Sequence, residues 1–338
     1  MIWLTLRQFR PSALVAGVML AALAGLLALT GPGLADDWAD GTAECAATGC
    51  DSFIRLYLTE HQTMRVALST VVLLVPALIG LFWGAPLVAR ELEAGTHRLV
   101  WNQSVTRTRW LAVKLGVVGA ASAAVSGLVS LAVFWWASPL DEAAVDELPR
   151  MSPFIFSARG IVPVAFAVFA FALGVAVGMV ARRALVAMAV TLAVFAVVQV
   201  AMPLLVRPHL AVPVEQTVTV TPDNLAGLHS QGPGTPLHVS TDAPAGAWVL
   251  ANETVDSSGR VSETVPLRIG EGPCATEGAR GPSEQCIAAI GELGYRQRLV
   301  YHPAGRFWAL QWAESGVYAG LTALLAGFSF WWLRRRVS

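Results

Sequence analysis

Six apolar runs constrain this chain more than any other feature: roughly 13–30, 66–89, 115–137, 161–181, 184–206 and 307–333. About 20 mostly apolar residues let a helix cross a bilayer, where the backbone must satisfy its own hydrogen bonds. The first five runs hold no charged residue, and the sixth holds only Glu314, near one end. Charged residues are 14% of the 338, against about 25% in a soluble domain. The fold class read from this pattern is an all-α membrane protein with six transmembrane helices and a small α+β extracytoplasmic domain between spans five and six. The expected divisions are 1–206 for the first five spans, 207–306 for the outer domain, and 307–338 for the last span and its basic tail.

Basic residues orient such a bundle. With the N-terminus cytoplasmic, the inner segments hold Arg7, Arg10, Arg90, Arg98, Arg107, Arg109, Lys114, Arg182, Arg183 and Arg334 to Arg336, against two acids, Glu91 and Glu93. The two short outer loops hold only Arg55, Arg65, Arg150 and Arg159. The formal net charge of zero thus conceals an inner side near +10 and an outer side near −10. Both termini are placed in the cytoplasm and the chain in the cell membrane. Arg7, Arg10 and "GLADD" also resemble a signal peptide cut after Ala35, but the apolar run of about 18 residues exceeds the usual length.

All four cysteines fall on the outer side, where disulfides persist. Local pairs Cys45–Cys50 and Cys274–Cys286 are expected. A four-cysteine zinc site is the rival, and it lacks the C-x-x-C spacing and flanking histidines. In the outer segment, "EQTVTVT", "PLHVSTD" and "GAWVLANETV" alternate as strands do, and "CIAAIGELGYRQRLVYHP" reads as helical. Tryptophans 135, 136, 308, 312, 331 and 332 lie at span ends, as an aromatic belt requires.

The absences exclude several functions. Mid-span positions hold no ionisable group, the usual mark of a proton relay or intramembrane metal site. The six histidines (His61, His97, His209, His229, His238, His302) sit in connectors, no two at a metal-ligand spacing. No catalytic constellation and no metal or cofactor site is visible. The only lysine, Lys114, stands in "AVKLG" rather than a phosphate-cradling G-K-S/T. No nucleic-acid partner is expected, and membrane lipids are.

Small residues allow close helix approach. Gly116, Gly119, Ala120, Ala123 and Gly127 lie near one face of the third span, and Gly174 and Gly178 near one face of the fourth. Packing within the chain, a dimer seam and a substrate path are all open for them. Pro76, Pro163 and Pro203 are candidate kinks.

The longest inner connector, 88–114, carries the remaining polar chemistry. Leu87, Val88, Leu92, Leu99 and Val100 recur at helical spacings, and Gly95–Thr96 breaks the pattern. A short amphipathic helix along the inner membrane face, with Arg and Glu turned to the cytoplasm, accounts for it; so does an ordinary basic loop on lipid headgroups. The string Ala89, Arg90, Glu91, Glu93, Gly95, Thr96, Arg98, Leu99, Gln103, Ser104, Arg107, Arg109, Trp110, Leu111 and Lys114 resembles the first cytoplasmic loop of ABC transporter permeases of the type-2 exporter class, in particular actinobacterial ones. The stretch from Tyr301 through "GRFWALQWAESGVYAG" to "WWLRRR" is similar to their last span.

That resemblance implies two permease copies or paralogues paired as a dimer, each docked on a separate ABC ATPase subunit. ATP and Mg would bind there, and not to this chain. The loop would supply the coupling helix: Glu91, Glu93 and Arg98 contacting the ATPase, Leu92 and Leu99 filling its groove, with Arg90, Gly95, Thr96, Gln103, Arg107 and Arg109 in the same loop. The N-terminal stub would be an interfacial helix. The cargo implied is a drug, antibiotic or lipid, moved outward. A non-transporting sensor or assembly protein presenting its outer domain is the alternative.

Overall fold

The structure, a computed structural model, describes residues 2–47, 49–95, 106–145, 148–230, 235–268, 271–275 and 284–336. The chain divides into two compact units, Met1–Leu210 with Trp308–Ser338, and Ala211–Phe307. Arg207, assigned on sequence to the outer segment, belongs to the first.

The first unit is helical. Six helices are long and apolar enough to cross a membrane: span 1 (Thr5–Cys45), span 2 (Asp51–Glu93), span 3 (Arg107–Ala143), span 4 (Val162–Ala181), span 5 (Ala184–His209) and span 6 (Ala304–Arg336). Span 4 is central, with 67% of its apolar window buried against 6% for span 1. Chain ends and the 2–3 and 4–5 connectors lie at one end of the spans, called here the terminal end. The 1–2 and 3–4 connectors lie at the other, the disulfide end.

The acidic connector between the first two apolar runs, 31–65, is mostly helix, both over 52–64, where "SFIRLYLTEHQTM" reads as a candidate helix, and over 31–45. Span 1 runs unbroken from the N-terminal stub through Pro11 and Pro32 to Cys45, and span 2 starts at Asp51. The Cys45–Cys50 disulfide closes the hairpin between them. Hydrophobic contacts sustain it beyond the apolar runs: Trp38, Phe53 and Tyr57 stack together, and the Tyr57 hydroxyl donates to Leu34 O at 2.9 Å.

Spans 1 to 3 share a core at the disulfide end, including Leu27, Leu58, Val72, Val133, Trp136 and Leu140. Trp136 is therefore not in the aromatic belt. It is buried, and its indole donates to Thr30 Oγ1 at 2.9 Å, whereas Trp135, Trp308, Trp312 and Trp331 are exposed. Nearby, Asp141 accepts from two buried arginines, Arg65 at 2.9 Å and Arg159 at 2.8 Å.

Prolines act in three different ways. Pro76 precedes a π-turn over Gly80–Gly84, and Pro203 lies inside another over Met202–Val206. Such turns are where helices absorb local mismatch. Pro163 instead sits in the first turn of span 4 and kinks nothing, because a first-turn residue needs no N–H.

The π-turn of span 2 meets the glycines of span 4. A Cβ at Gly174 would stand 2.6 Å from Ala85 N and Gly80 O, and one at Gly178 would stand 2.5 Å from Ala85 O. Backbones touch there, and only glycine fits. Span 3 packs otherwise. Gly116 faces open space, and Gly119 and Gly127 make ordinary contacts with Phe171 and Val164. Ala123 is half-buried beside them. The buried face of span 3 carries a stripe at four-residue spacing, Lys114, Val118, Ser122, Ser126 and Ser130.

The second unit holds two three-stranded antiparallel sheets. One has the order β1 (Val214–Thr219), β6 (Arg296–His302), β4 (Trp248–Val255); the other β2 (Leu225–His229), β3 (Pro236–Thr241), β5 (Val265–Arg268). A helix, Glu284–Glu292, precedes β6, and the Cys274–Cys286 disulfide ties its first turn to the preceding segment. The stretch expected as helical through 303 thus divides in two. Gly294 turns the chain at φ +79, and Gln297, Leu299 and Tyr301 then alternate inward along the central strand.

Candidate functional site

At the terminal end, span 2 does not stop at the apolar boundary. It continues through the helix formers Arg90–Glu93 and ends where Gly95 adopts φ +69, the left-handed stop that glycine takes most readily. Span 3 begins at Arg107, where the Thr106 hydroxyl accepts from Arg109 N at 3.3 Å. Of the connector residues singled out on sequence, Thr96, Arg98, Leu99, Val100, Gln103 and Ser104 lie outside the described residues.

Both connector glutamates make contacts within the chain, although Glu93 is exposed. Glu91 forms an ion pair with Lys114, which also donates to Leu87 O at 3.3 Å and stands 4.8 Å from the ring centroid of Trp110. Lys114 is 4% exposed. Burial explains the pairing, since an ammonium withdrawn from water needs an opposite charge and hydrogen bonds. Glu93 reaches across to the next hairpin, and its Oε2 accepts from Ala184 N at 3.1 Å. Span 5 has no side-chain cap of its own, so a carboxylate from span 2 occupies the site where a helix N-terminus favours negative charge. Leu92 packs on the core shared by spans 2, 3 and 4. Arg90, Arg107 and Arg109 remain on the exposed face. Within the chain, Glu91, Glu93 and Leu92 thus all have contacts of their own. They bind the connector's start to spans 3 and 5.

The 4–5 turn is fixed from a second direction. Arg182, left-handed at φ 53, donates to Arg336 O at 2.8 Å, joining span 4 to the end of span 6. Movement of the 88–95 segment therefore has direct polar routes into spans 3 and 5.

A groove of about 600 Å³ lies between spans 4 and 6. Val164 and Val168 line one wall, and Gly316, Ala319 and Ala323 the other. Ser315 and Thr322 provide hydroxyls in an otherwise carbon surface, with Trp312 and Ile161 at one end. The arrangement accommodates an apolar chain rather than a polar or charged group.

Among the described residues no group of three or more His, Cys, Asp or Glu side chains is arranged to hold a metal. His229 and His238, far from any ligand spacing in sequence, stand opposite each other across the β2–β3 pair. Sequence reasoning also missed the structural use of Lys114 and of Gln311 and Glu314. Each is a lone polar residue at the margin of an apolar run, and that isolation was the available signal.

Residues 17–207 match the family described as ABC-2 membrane transporter related. The chain belongs to that family. The match runs from within span 1 almost to the end of span 5, and includes the Glu91–Lys114 and Glu93–Ala184 contacts. No curated protein and no solved structure matches the chain. As an ABC-2 type permease it is a multi-pass membrane protein, of a kind that normally leaves ATP hydrolysis to another subunit.

Proposed function

We propose that this ABC-2 permease is the membrane subunit of an ATP-driven exporter, with the terminal end cytoplasmic and the sheet unit outside. The uneven distribution of basic residues supports that orientation, and the two disulfides agree with it. A separate ABC ATPase docks on the connector 88–114, and a second copy or paralogue completes a dimer. One observation carries this reading: within the family-matched region, the connector is tied to spans 3 and 5 by Lys114–Glu91 and Glu93–Ala184. A push on the connector is thereby delivered to two helices. Arg90, Arg107 and Arg109 supply a basic face for the partner. The carbon-lined groove favours an apolar or amphipathic cargo, such as a drug, antibiotic or lipid.

The test is a mild-detergent pull-down of the tagged chain from its native membranes, with stoichiometry and ATP hydrolysis measured. The expected result is an ATPase recovered one-to-one, whose hydrolysis loses its dependence on the permease when Arg107 and Arg109 are changed to Glu. Recovery of the chain without any nucleotide-binding subunit would overturn the reading in favour of a sensor or assembly protein.

A further inference from the structure

At the disulfide end, much of the segment joining spans 3 and 4 is buried within the helical unit. Met151, Ile155, Phe156, Ala158 and Arg159 are all fully buried, while Pro153 and Phe154 are exposed, and one turn of helix, Pro153–Ser157, interrupts the irregular backbone from Met151 to Ile161. Irregular backbone at a membrane margin is stable only where other groups satisfy it, and side chains from the spans do so here. Ser126 donates to Pro163 O at 2.9 Å and Ser130 to Gly160 O at 3.0 Å. Arg65 donates to Leu148 O at 2.9 Å. From span 6, Gln311 Oε1 accepts from Ile161 N at 3.1 Å and Val162 N at 3.0 Å, while its Nε2 donates to Phe156 O at 3.0 Å.

One turn along span 6, Glu314 completes the grip. It is fully buried and takes a two-pronged contact from Arg207 of span 5, at 2.6 and 3.0 Å. The same guanidinium donates to Ser157 Oγ at 2.6 Å and Pro153 O at 3.1 Å, and lies 4.4 Å from the Phe156 ring centroid.

The two sides of this segment differ. Toward spans 2 and 3 it joins a continuous apolar core through Ala158. Toward span 6 it adjoins the groove, whose lining begins at Ile161 and Trp312. Span 6 is therefore held there by polar contacts beside open space. A buried ion pair separates at tolerable cost only where water can follow. Span 6 can thus part from the segment when the outer side opens to water, and remains closed otherwise.

We propose that 151–162 is the outer gate of the transport path, and that Gln311 and Glu314, with Arg207, are the positioning residues that hold it shut against span 6. The inference rests on the exporter reading for its direction, but its test needs no partner subunit. Ser315 lines the groove one residue from Glu314, and its hydroxyl has no hydrogen-bond partner among the described residues. Ser315→Cys therefore breaks no contact. All four native cysteines are in disulfides, so the new thiol is the single reporter.

The full chain carrying Ser315→Cys is labelled in intact cells with a membrane-impermeant maleimide. With the gate residues native, the introduced thiol should react slowly. Adding Gln311→Ala or Glu314→Gln should each speed the reaction roughly tenfold, as loss of a buried hydrogen bond implies. Gln311→Ala alters no charge, so it carries the test if Glu314→Gln fails to reach the membrane. Unchanged rates in these variants, with full reaction after denaturation, would overturn the gate. Cells lacking the partner ATPase separate the two claims. If they label the Ser315→Cys chain at the same rate as cells containing it, while Gln311→Ala still accelerates labelling, ATP coupling is refuted and the gate stands.

Discussion

At the residue scale, the chain places its few charges inside the helical unit with a partner each. Lys114 shows the energetics. With Glu91 present, the ammonium is neutralised, hydrogen-bonded to Leu87 O and covered by Trp110. Lys114→Met leaves the Glu91 carboxylate without that cation, and removal of one partner of a buried pair costs about 3–5 kcal/mol. Glu91 is 17% exposed, so the lower part of that range applies. Glu91→Leu/Lys114→Met removes both charges and should recover most of the loss. Melting temperatures of the detergent-solubilised variants check this. A double variant no more stable than Lys114→Met would show that the pair is not the source of the cost. The pairing was hidden in the sequence, where Glu91 is expected to contact a partner subunit and Lys114 reads only as one cation of the connector.

At the element scale, the decisive contact is the crossing of spans 2 and 4. Hydropathy showed both helices, and the Gly174–Gly178 spacing showed a face capable of close approach. The matching surface, the π-turn Gly80–Gly84, has no comparable sequence mark, because a π-turn depends on what the helix packs against. Gly178→Val should clash with the backbone at Ala85 and cost at least about 1–3 kcal/mol. Gly116→Ala, on a face with nothing within 4 Å, should be tolerated. Size-exclusion profiles after a heating series distinguish them, and equal losses for both would refute the packing. The stripe of Gly116, Ala120 and Gly127 was equally conspicuous in sequence, yet span 3 buries its serines instead. Spacing identifies a face without identifying its neighbour. The opposite misreading occurred at 296–302, where alternation was masked by the preceding helix and only pairing with β1 and β4 made the segment a central strand.

At the scale of the whole molecule, two units with different chemistry share one chain. The helical unit relies on apolar surface and a small number of ion pairs. The sheet unit, 97 residues, uses three small cores and the Cys274–Cys286 disulfide. A disulfide closing a loop of this size stabilises by about 3 kcal/mol. Cys274→Ser/Cys286→Ser should therefore lower the melting of the sheet unit, and leave that of the helices nearly unchanged. Limited proteolysis against temperature reads the two separately, and a helical unit that unfolds at the same lowered temperature would show that the units are not independent.

The sequence by itself determined the six spans, the crowding of cations at one end and the placement of cysteines away from it. These follow from local hydropathy and from counting charges along the chain, which need no knowledge of neighbours. Only the tertiary structure decided that Glu93 caps span 5, that Lys114 and Glu314 each meet a buried opposite charge, and that Gln311 holds the backbone at Phe156, Ile161 and Val162. The physical reason is the same in each case. A buried charge or amide is stabilised by what surrounds it in space, and here its partners stand 23 to 155 positions away along the chain.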